Sequence, residues 1–373
     1  MGNLSKKNKK KEKLKLSLAN PFFKNKTLIT NEYFNFNYGF SYDSGKNQCL
    51  DIYKLNDINN AFYIAFQKDF SNTIEIIKYL FDIKSLKNVA EVFILKTPIK
   101  RIKYFFDELQ KCEYLFVVTK KQINIFLILN KEKYDQIYTY EEKSWMEFDI
   151  IKDFEIIYNK YNKINYILVS FSYSGHYTIN ENKLSFIKFE KKNCSKITEV
   201  SLGYGDYDIF KIWDDTNSKK FFLIYISNSN IDFLDIETSK YAYKKSIKIK
   251  ISDIDCINAD VNDNFLYLLS EDNYLIIIDL FKNQIINKIK INDNIKIKSL
   301  LNWDDTYIII EDRKNFYIFD KTINKIINKY SVAHNSNGNI ISLNKFYFHK
   351  YNYSFLFIDF NDNTIIFFKN DIN

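Results

Sequence analysis

Histidine, cysteine, arginine, glycine and proline are all scarce in this 373-residue chain, and each shortage removes a class of chemistry. Cys49, Cys112, Cys194 and Cys256 stand far apart with no Cys-x-x-Cys pair, and only His176, His334 and His349 accompany them. That spacing excludes the usual zinc sites. Without a secretory leader the thiols are expected to stay reduced, in a cytoplasmic or nuclear setting. Arg101 and Arg313 are the only arginines among 54 basic residues. Phosphate and guanine recognition leans on the planar arginine fork, whereas dispersed lysines keep a strand-rich surface soluble and guard its edges, so the net charge of +8 reads as solvated surface. Long apolar runs are missing as well. Charge interrupts stretches such as 274–280 well short of the roughly 20 residues that cross a bilayer as a helix, so no transmembrane segment is expected.

The seven glycines leave no phosphate-cradling loop. Gly203-Tyr204-Gly205 lacks the third glycine and a following helix, and reads as a turn. A serine nucleophile elbow and a kinase motif set are absent. The carboxylate pairs Asp214-Asp215 and Asp304-Asp305 recur at equivalent repeat positions, which points to turn chemistry because aspartate hydrogen-bonds its own turn backbone; Glu141-Glu142 is a third such pair. His176 has no partner that would make it a base or a ligand. No catalytic residue, metal ligand or cofactor is expected, and the chain reads as a non-enzyme.

What is abundant is Ile, Asn, Lys, Tyr and Phe, with 46% hydrophobic and 18% aromatic residues, too apolar for a disordered chain. The exception is the amino terminus, where Lys6, Lys7, Lys9, Lys10, Lys11, Lys13 and Lys15 repel one another. Residues 1–25 are expected to be a flexible basic tail. Gly2 invites a myristoylation reading, but Lys6 stands where that signal asks for Ser or Thr.

From residue 27 onward the sequence breaks into short apolar runs, among them 114–118, 123–129, 166–171, 221–226, 265–269, 274–279, 307–310 and 316–319, divided by Asn, Asp, Ser and Lys clusters. Each has strand length, and the runs come in pairs with turn-sized gaps. The pairs also repeat. Asp235, Asp279 and Asp320 close successive third strands 44 and 41 residues apart, and Trp213 and Trp303 stand 90 apart, two units of 45. Such intervals match a four-stranded propeller blade of about 40–45 residues.

Here the chain resembles the WD-repeat family. Leu234-Asp235, Ile278-Asp279 and Phe319-Asp320 stand where that family ends its third strand with Trp-Asp. Two departures accompany the resemblance: the Trp-Asp-Asp of Trp303 falls at a turn between first and second strands, and Gly175-His176 sits between second and third strands. The resemblance implies an all-β fold over 26–373, an about seven-bladed β-propeller of four-stranded blades closed by an N-terminal strand. Extending the period places the blades at 48–90, 91–138, 139–199, 200–248, 249–290, 291–330 and 331–373, with 73–81 open to a helical reading and 27–38 as the closing strand.

Trp213 and Trp303 share a repeat phase, which predicts packing between blades. Trp145, beside Met146, breaks that phase and is the candidate contact residue, with His176 and Tyr177 as exposed polar companions. The function expected is a non-enzymatic protein–protein interaction scaffold or adaptor of an intracellular assembly, with proteins or peptides as partners. The alternative is recruitment to an acidic membrane surface or nucleic acid through the lysine tail, in the cytoplasm, the nucleus or at a membrane periphery.

Overall fold

The computed structural model of the chain describes residues 36–43, 48–55, 61–68, 72–80, 85–94, 99–141, 149–173, 181–190, 193–204, 209–226, 231–236, 256–291, 296–312, 314–331, 340–348, 353–360 and 364–371. All 27 elements among them are strands. They are β1 (Phe36–Asp43); β2 (Gln48–Tyr53), β3 (Ala61–Gln67), β4 (Thr73–Leu80) and β5 (Ser85–Phe93) in a first sheet; β6 (Ile99–Asp107), β7 (Cys112–Thr119), β8 (Ile123–Leu129) and β9 (Lys133–Tyr140) in a second; and β10 (Asp149–Asn159), β11 (Ile164–Tyr173), β12 (Glu181–Glu190) and β13 (Asn193–Tyr204) in a third. A fourth sheet holds β14 (Ile209–Asp215), β15 (Lys220–Ile226) and β16 (Ile231–Asp235), and a fifth β17 (Cys256–Asn262), β18 (Phe265–Ser270), β19 (Tyr274–Asp279) and β20 (Gln284–Lys290). The sixth has β21 (Ser299–Asn302), β22 (Tyr307–Glu311), β23 (Asn315–Asp320) and β24 (Lys325–Ser331), and the seventh β25 (Ile340–Phe348), β26 (Tyr353–Phe360) and β27 (Thr364–Asp371).

The first six sheets are antiparallel meanders in chain order, as short turn-sized gaps dictate. In the seventh, β1 pairs with β27 and supplies the outermost strand, so the N-terminal strand completes the last sheet as expected. Its described span is Phe36–Asp43, and of the expected 27–38 the residues 27–35 lie outside the described set. Thr73–Leu80 is strand, not helix, with Ile74 and Ile76 buried on one side of β4 and Ile77 and Tyr79 on the other; residue 81 lies outside the described set. Gly203 and Tyr204 end β13 instead of forming a turn, and Trp213, Asp214 and Asp215 are the last residues of β14. The fourth sheet shows three described strands; the remainder of its expected range falls in 237–255, outside the described residues.

The strands divide between two compact units, Lys46–Lys290 with the first five sheets, and Met1–Gly45 with Ile291–Asn373. In the larger unit the core lies in seams between consecutive sheets. Along β7, Leu115 and Val117 pack with Tyr53, Tyr63, Ile74 and Val92 of the first sheet, while the alternate residues Tyr114, Phe116 and Val118 pack with Ile151, Phe154 and Ile167 of the third. The pattern recurs on β11, where Ile167 and Val169 face the second sheet and Tyr166 and Leu168 face the fourth. It recurs again on β15, with Leu223 and Tyr225 on one side and Ile224 and Ile226 on the other. A strand with period 2 and a seam on both sides must be apolar at every position, which is why these runs read as continuous. Each fully buried side chain of this size stabilises the fold by about 1.5–3 kcal/mol.

The turns explain how so few glycines suffice. Five four-residue hairpin loops share one geometry, opened by Asp107, Asn159, Asp215, Asp279 and Asp320. In each, Oδ1 of the opening residue accepts the backbone N–H groups two and three positions on, at 2.8–3.3 Å. The last loop residue turns left-handed: Lys111, Lys163, Lys219, Asn283 and Asn324 have φ of 52°, 57°, 55°, 56° and 56°. Glycine is the ordinary occupant of that position, and here lysine and asparagine take it, held by the Asx hydrogen bonds at the loop's start.

Candidate functional site

The first strands of the sheets in the larger unit carry a charged strip that the sequence did not single out. β2, β6, β10, β14 and β17 each form one edge of their sheet. In β2, β6, β10 and β17 a bulge near the start, between Cys49/Asp51, Ile99/Arg101, Ile151/Asp153 and Cys256/Asn258, sets a common phase. Asp51, Arg101 and Asp153 then occupy one row, and Lys103, Glu155 and Asp260 the next. Neighbouring sheets alternate in sign. Arg101 donates to Asp153, Lys103 donates to Glu155, and Lys211 of β14 lies 3.7 Å from Asp260. The Arg101 guanidinium also sits over the Phe154 ring, 5.9 Å from its centroid.

These aspartates have a second task. An edge strand has N–H groups without a ladder partner. Asp51 accepts the N–H of Ile52 at 2.8 Å, Asp153 that of Phe154 at 2.8 Å, and Asp260 that of Val261 at 3.0 Å. Asp153 and Asp260 therefore shield the open edge while pairing across sheets. Burial pushes the Asp51 carboxyl up to about 7, against the opposing pull of the Ile52 N–H and of the Arg101 and Lys103 charges.

The opposite ends of these strands bind the sheets together. Asp214, one member of the Asp214-Asp215 pair, takes Lys160 Nζ at 2.5 Å and Tyr161 Oη at 2.7 Å from the third sheet, while Asp215 caps its own turn and also accepts Ser218 Oγ at 2.6 Å. In Asp304-Asp305 it is Asp304 that caps, accepting N–H groups from Thr306 and Tyr307 at 2.8 Å. The turn role expected for these pairs thus belongs to one member of each. Trp213 is 4% exposed and packs on Phe222, Phe233 and, from the fifth sheet, Phe281, the contact between blades its phase predicts.

Cys112, Cys194 and Cys256 are free thiols, and burial pushes those of Cys194 and Cys256 up to about 12, away from nucleophilic reactivity at neutral pH. Among the described residues, no cluster of three or more His, Cys, Asp or Glu is arranged to hold a metal ion, and no helix is long and apolar enough to cross a membrane.

Of the residues singled out from sequence, Trp145, Met146, His176, Tyr177 and the tail lysines Lys6, Lys7, Lys9, Lys10, Lys11, Lys13 and Lys15 all lie outside the described residues. The strand ends that flank the first four are described. Asp149 pairs with Tyr173, Tyr173 with Glu181, and Glu181 with Tyr204, so these four strand ends lie side by side at one end of the third sheet.

No protein-family model and no curated protein sequence matches the chain. Its structure is similar to Saccharomyces cerevisiae Sqt1, at 8% identity and TM-score 0.61, over 88% of this chain and 97% of that one. It is also similar to BBS1N in complex with ARL6DN, at 9% identity and TM-score 0.60, covering 90% and 97%, and to Chaetomium thermophilum Raptor, at 10% identity and TM-score 0.64, covering 91% of this chain but 30% of that one. At such identities the likeness concerns architecture alone. That architecture is an all-β, WD-repeat-like β-propeller built from antiparallel four-stranded sheets.

Proposed function

We propose that the chain is a non-enzymatic scaffold that binds proteins or peptides through the loop edge of its third sheet. The supporting observation is the alignment of Asp149, Tyr173, Glu181 and Tyr204 at one end of the third sheet; Trp145 and Met146 precede Asp149 in the sequence, and His176 and Tyr177 stand between Tyr173 and Glu181. Tryptophan and tyrosine bring large contact area at small entropic cost, and short segments on a rigid body are the usual place for recognition. The carboxylates of Asp107, Asp153, Glu155 and Asp214 are committed to turns, edges or pairs between sheets, which suits a binding body better than a reaction centre. One structural neighbour was crystallised with a protein partner, in line with this reading.

Affinity purification of the tagged full chain from its native cell, followed by mass spectrometry, tests the proposal. A stoichiometric protein partner is expected, and its recovery should fall about tenfold or more when Trp145→Ala is combined with Met146→Ala, or His176→Ala with Tyr177→Ala. A chain lacking residues 1–19 should retain that partner. Recovery that depends on the lysine tail instead, or no stoichiometric partner at all, overturns the scaffold reading.

A further inference from the structure

Outer strands of propeller-type sheets present a row of unpaired N–H and C=O groups, and proteins guard such rows with bulges and with lysines held over the edge. Each fully described four-stranded sheet of the larger unit has the bulge, between Ile76/Ile77, Ile125/Phe126, Phe186/Ile187 and Ile277/Ile278. The outer strands differ in their charges. On β5, Glu91 meets Lys68 at 3.2 Å and Lys87 meets Glu132 at 3.4 Å. On β13, Glu199 holds Lys196 at 2.7 Å and Lys183 at 3.7 Å. Strand β20, with the sequence Gln284-Ile285-Ile286-Asn287-Lys288-Ile289-Lys290, has charges of one sign only.

Those lysines are also drawn off the edge. The Nζ atoms of Lys288 and Lys290 lie 4.5 and 4.7 Å from the centroid of the Tyr274 ring on β19, back over the face of the sheet. Beside them Ile285 and Ile286 are 42% and 47% exposed, an adjacent apolar pair on a strand whose outer side pairs with no described strand. The same run recurs on β24 as Ile326-Ile327-Asn328-Lys329, but there both isoleucines are half-buried and Asn328 is buried. The open apolar step thus belongs to β20 and not to the repeat as such.

We propose that the free edge of β20 docks an extended acidic peptide, which pairs along Asn287–Lys290, lays an apolar side chain on Ile285 and Ile286, and sets its carboxylates against Lys288 and Lys290. Backbone pairing gives such strand addition its affinity, and the flanking side chains give it selectivity. A second copy of the chain is the poorer occupant, since β20 against β20 brings four ammonium groups together. This surface is on the fifth sheet, separate from the loop edge of the third, so neither proposal depends on the other.

The probe is a fluorescent heptapeptide of alternating glutamate and valine, titrated into the full chain and followed by anisotropy. Two controls accompany it: the lysine–valine counterpart, and a glutamate–valine peptide N-methylated at every backbone amide, which has the same charge but can donate no ladder hydrogen bond from either edge. Saturable binding of the first peptide alone is expected. Affinity should fall about tenfold or more on combining Lys288→Glu with Lys290→Glu, or Ile285→Lys with Ile286→Lys, exposed changes that leave the core intact, and should hold in Lys329→Glu on β24. Equal binding of the N-methylated peptide would reduce the effect to attraction by a chain of net charge +8 and overturn the proposal. Absence of binding, indifference to the β20 variants, or a dimer in sedimentation that the isoleucine variants dissolve would overturn it too.

Discussion

Asp107 and Asn165 meet in the seam between the second and third sheets, Nδ2 of Asn165 donating to Oδ2 of Asp107 at 2.8 Å with both residues buried. Oδ1 of the same aspartate caps its own turn through the N–H groups of Leu109 and Gln110. One carboxylate thus closes a hairpin and ties it to the next sheet.

Replacing Asp107 by alanine removes all three bonds and leaves the Asn165 amide buried without its acceptor. We expect Asp107→Ala to cost about 2–4 kcal/mol, read as a lower urea midpoint. Asp320→Ala, which removes an exposed cap of the same geometry, should cost only about 0.5–1.5 kcal/mol.

The left-handed lysines carry a different expectation. A non-glycine residue in that conformation is strained by about 1–2 kcal/mol, partly offset by the smaller entropy its unfolded chain loses. Lys111→Gly, Lys163→Gly and Lys219→Gly should each stabilise the chain by about 0.5–1 kcal/mol and nearly additively, because the three turns belong to separate sheets. Alanine at the same positions removes the charge but keeps the strain, so Lys→Ala variants should show no gain in thermal denaturation.

Asp51 should make stability depend on pH. Its carboxyl titrates near 7 when folded and near 3.8 when unfolded, so the folded state holds the extra proton between those values. Stability from this group is therefore greatest below the lower value, falls as pH rises through the window, and is flat above about 7. Asp51→Asn should flatten that slope in urea midpoints measured across the window. An unchanged slope would show that the carboxyl is not set by burial beside Arg101 and Lys103.

At Trp213 the indole Nε1 is buried with no hydrogen-bond partner among the described residues, so its contribution there is packing. Trp213→Phe should cost less than about 1.5 kcal/mol, while Trp213→Ala, which empties the site between Phe222, Phe233 and Phe281, should cost about 3–5 kcal/mol. Guanidinium denaturation of the two variants separates these values.

Much of the architecture was readable because strand signals are local. The expected range 249–290 contains β17 to β20 and 291–330 contains β21 to β23 with all but the last residue of β24, since an apolar run bounded by Asn and Asp specifies a strand and its turn within a dozen residues. The Trp-Asp-Asp run of Trp303 lies at the turn expected for it, whereas that of Trp213 ends a strand. Identical neighbours put Trp213 inside β14 and Trp303 just past β21, because pairing length, set by the opposite strand, decides where a strand stops.

Residue order alone specifies a series of antiparallel sheets with a forty-odd-residue period, because alternation, turn residues and repeat spacing are properties of neighbouring positions. Which charges meet is settled by how the sheets pack. Arg101 finds Asp153 and Lys103 finds Glu155 across 52 residues, and Asp107 finds Asn165 across 58. Such partners come together when buried faces of neighbouring sheets stack, and the chain between them leaves no mark of the register in which that happens.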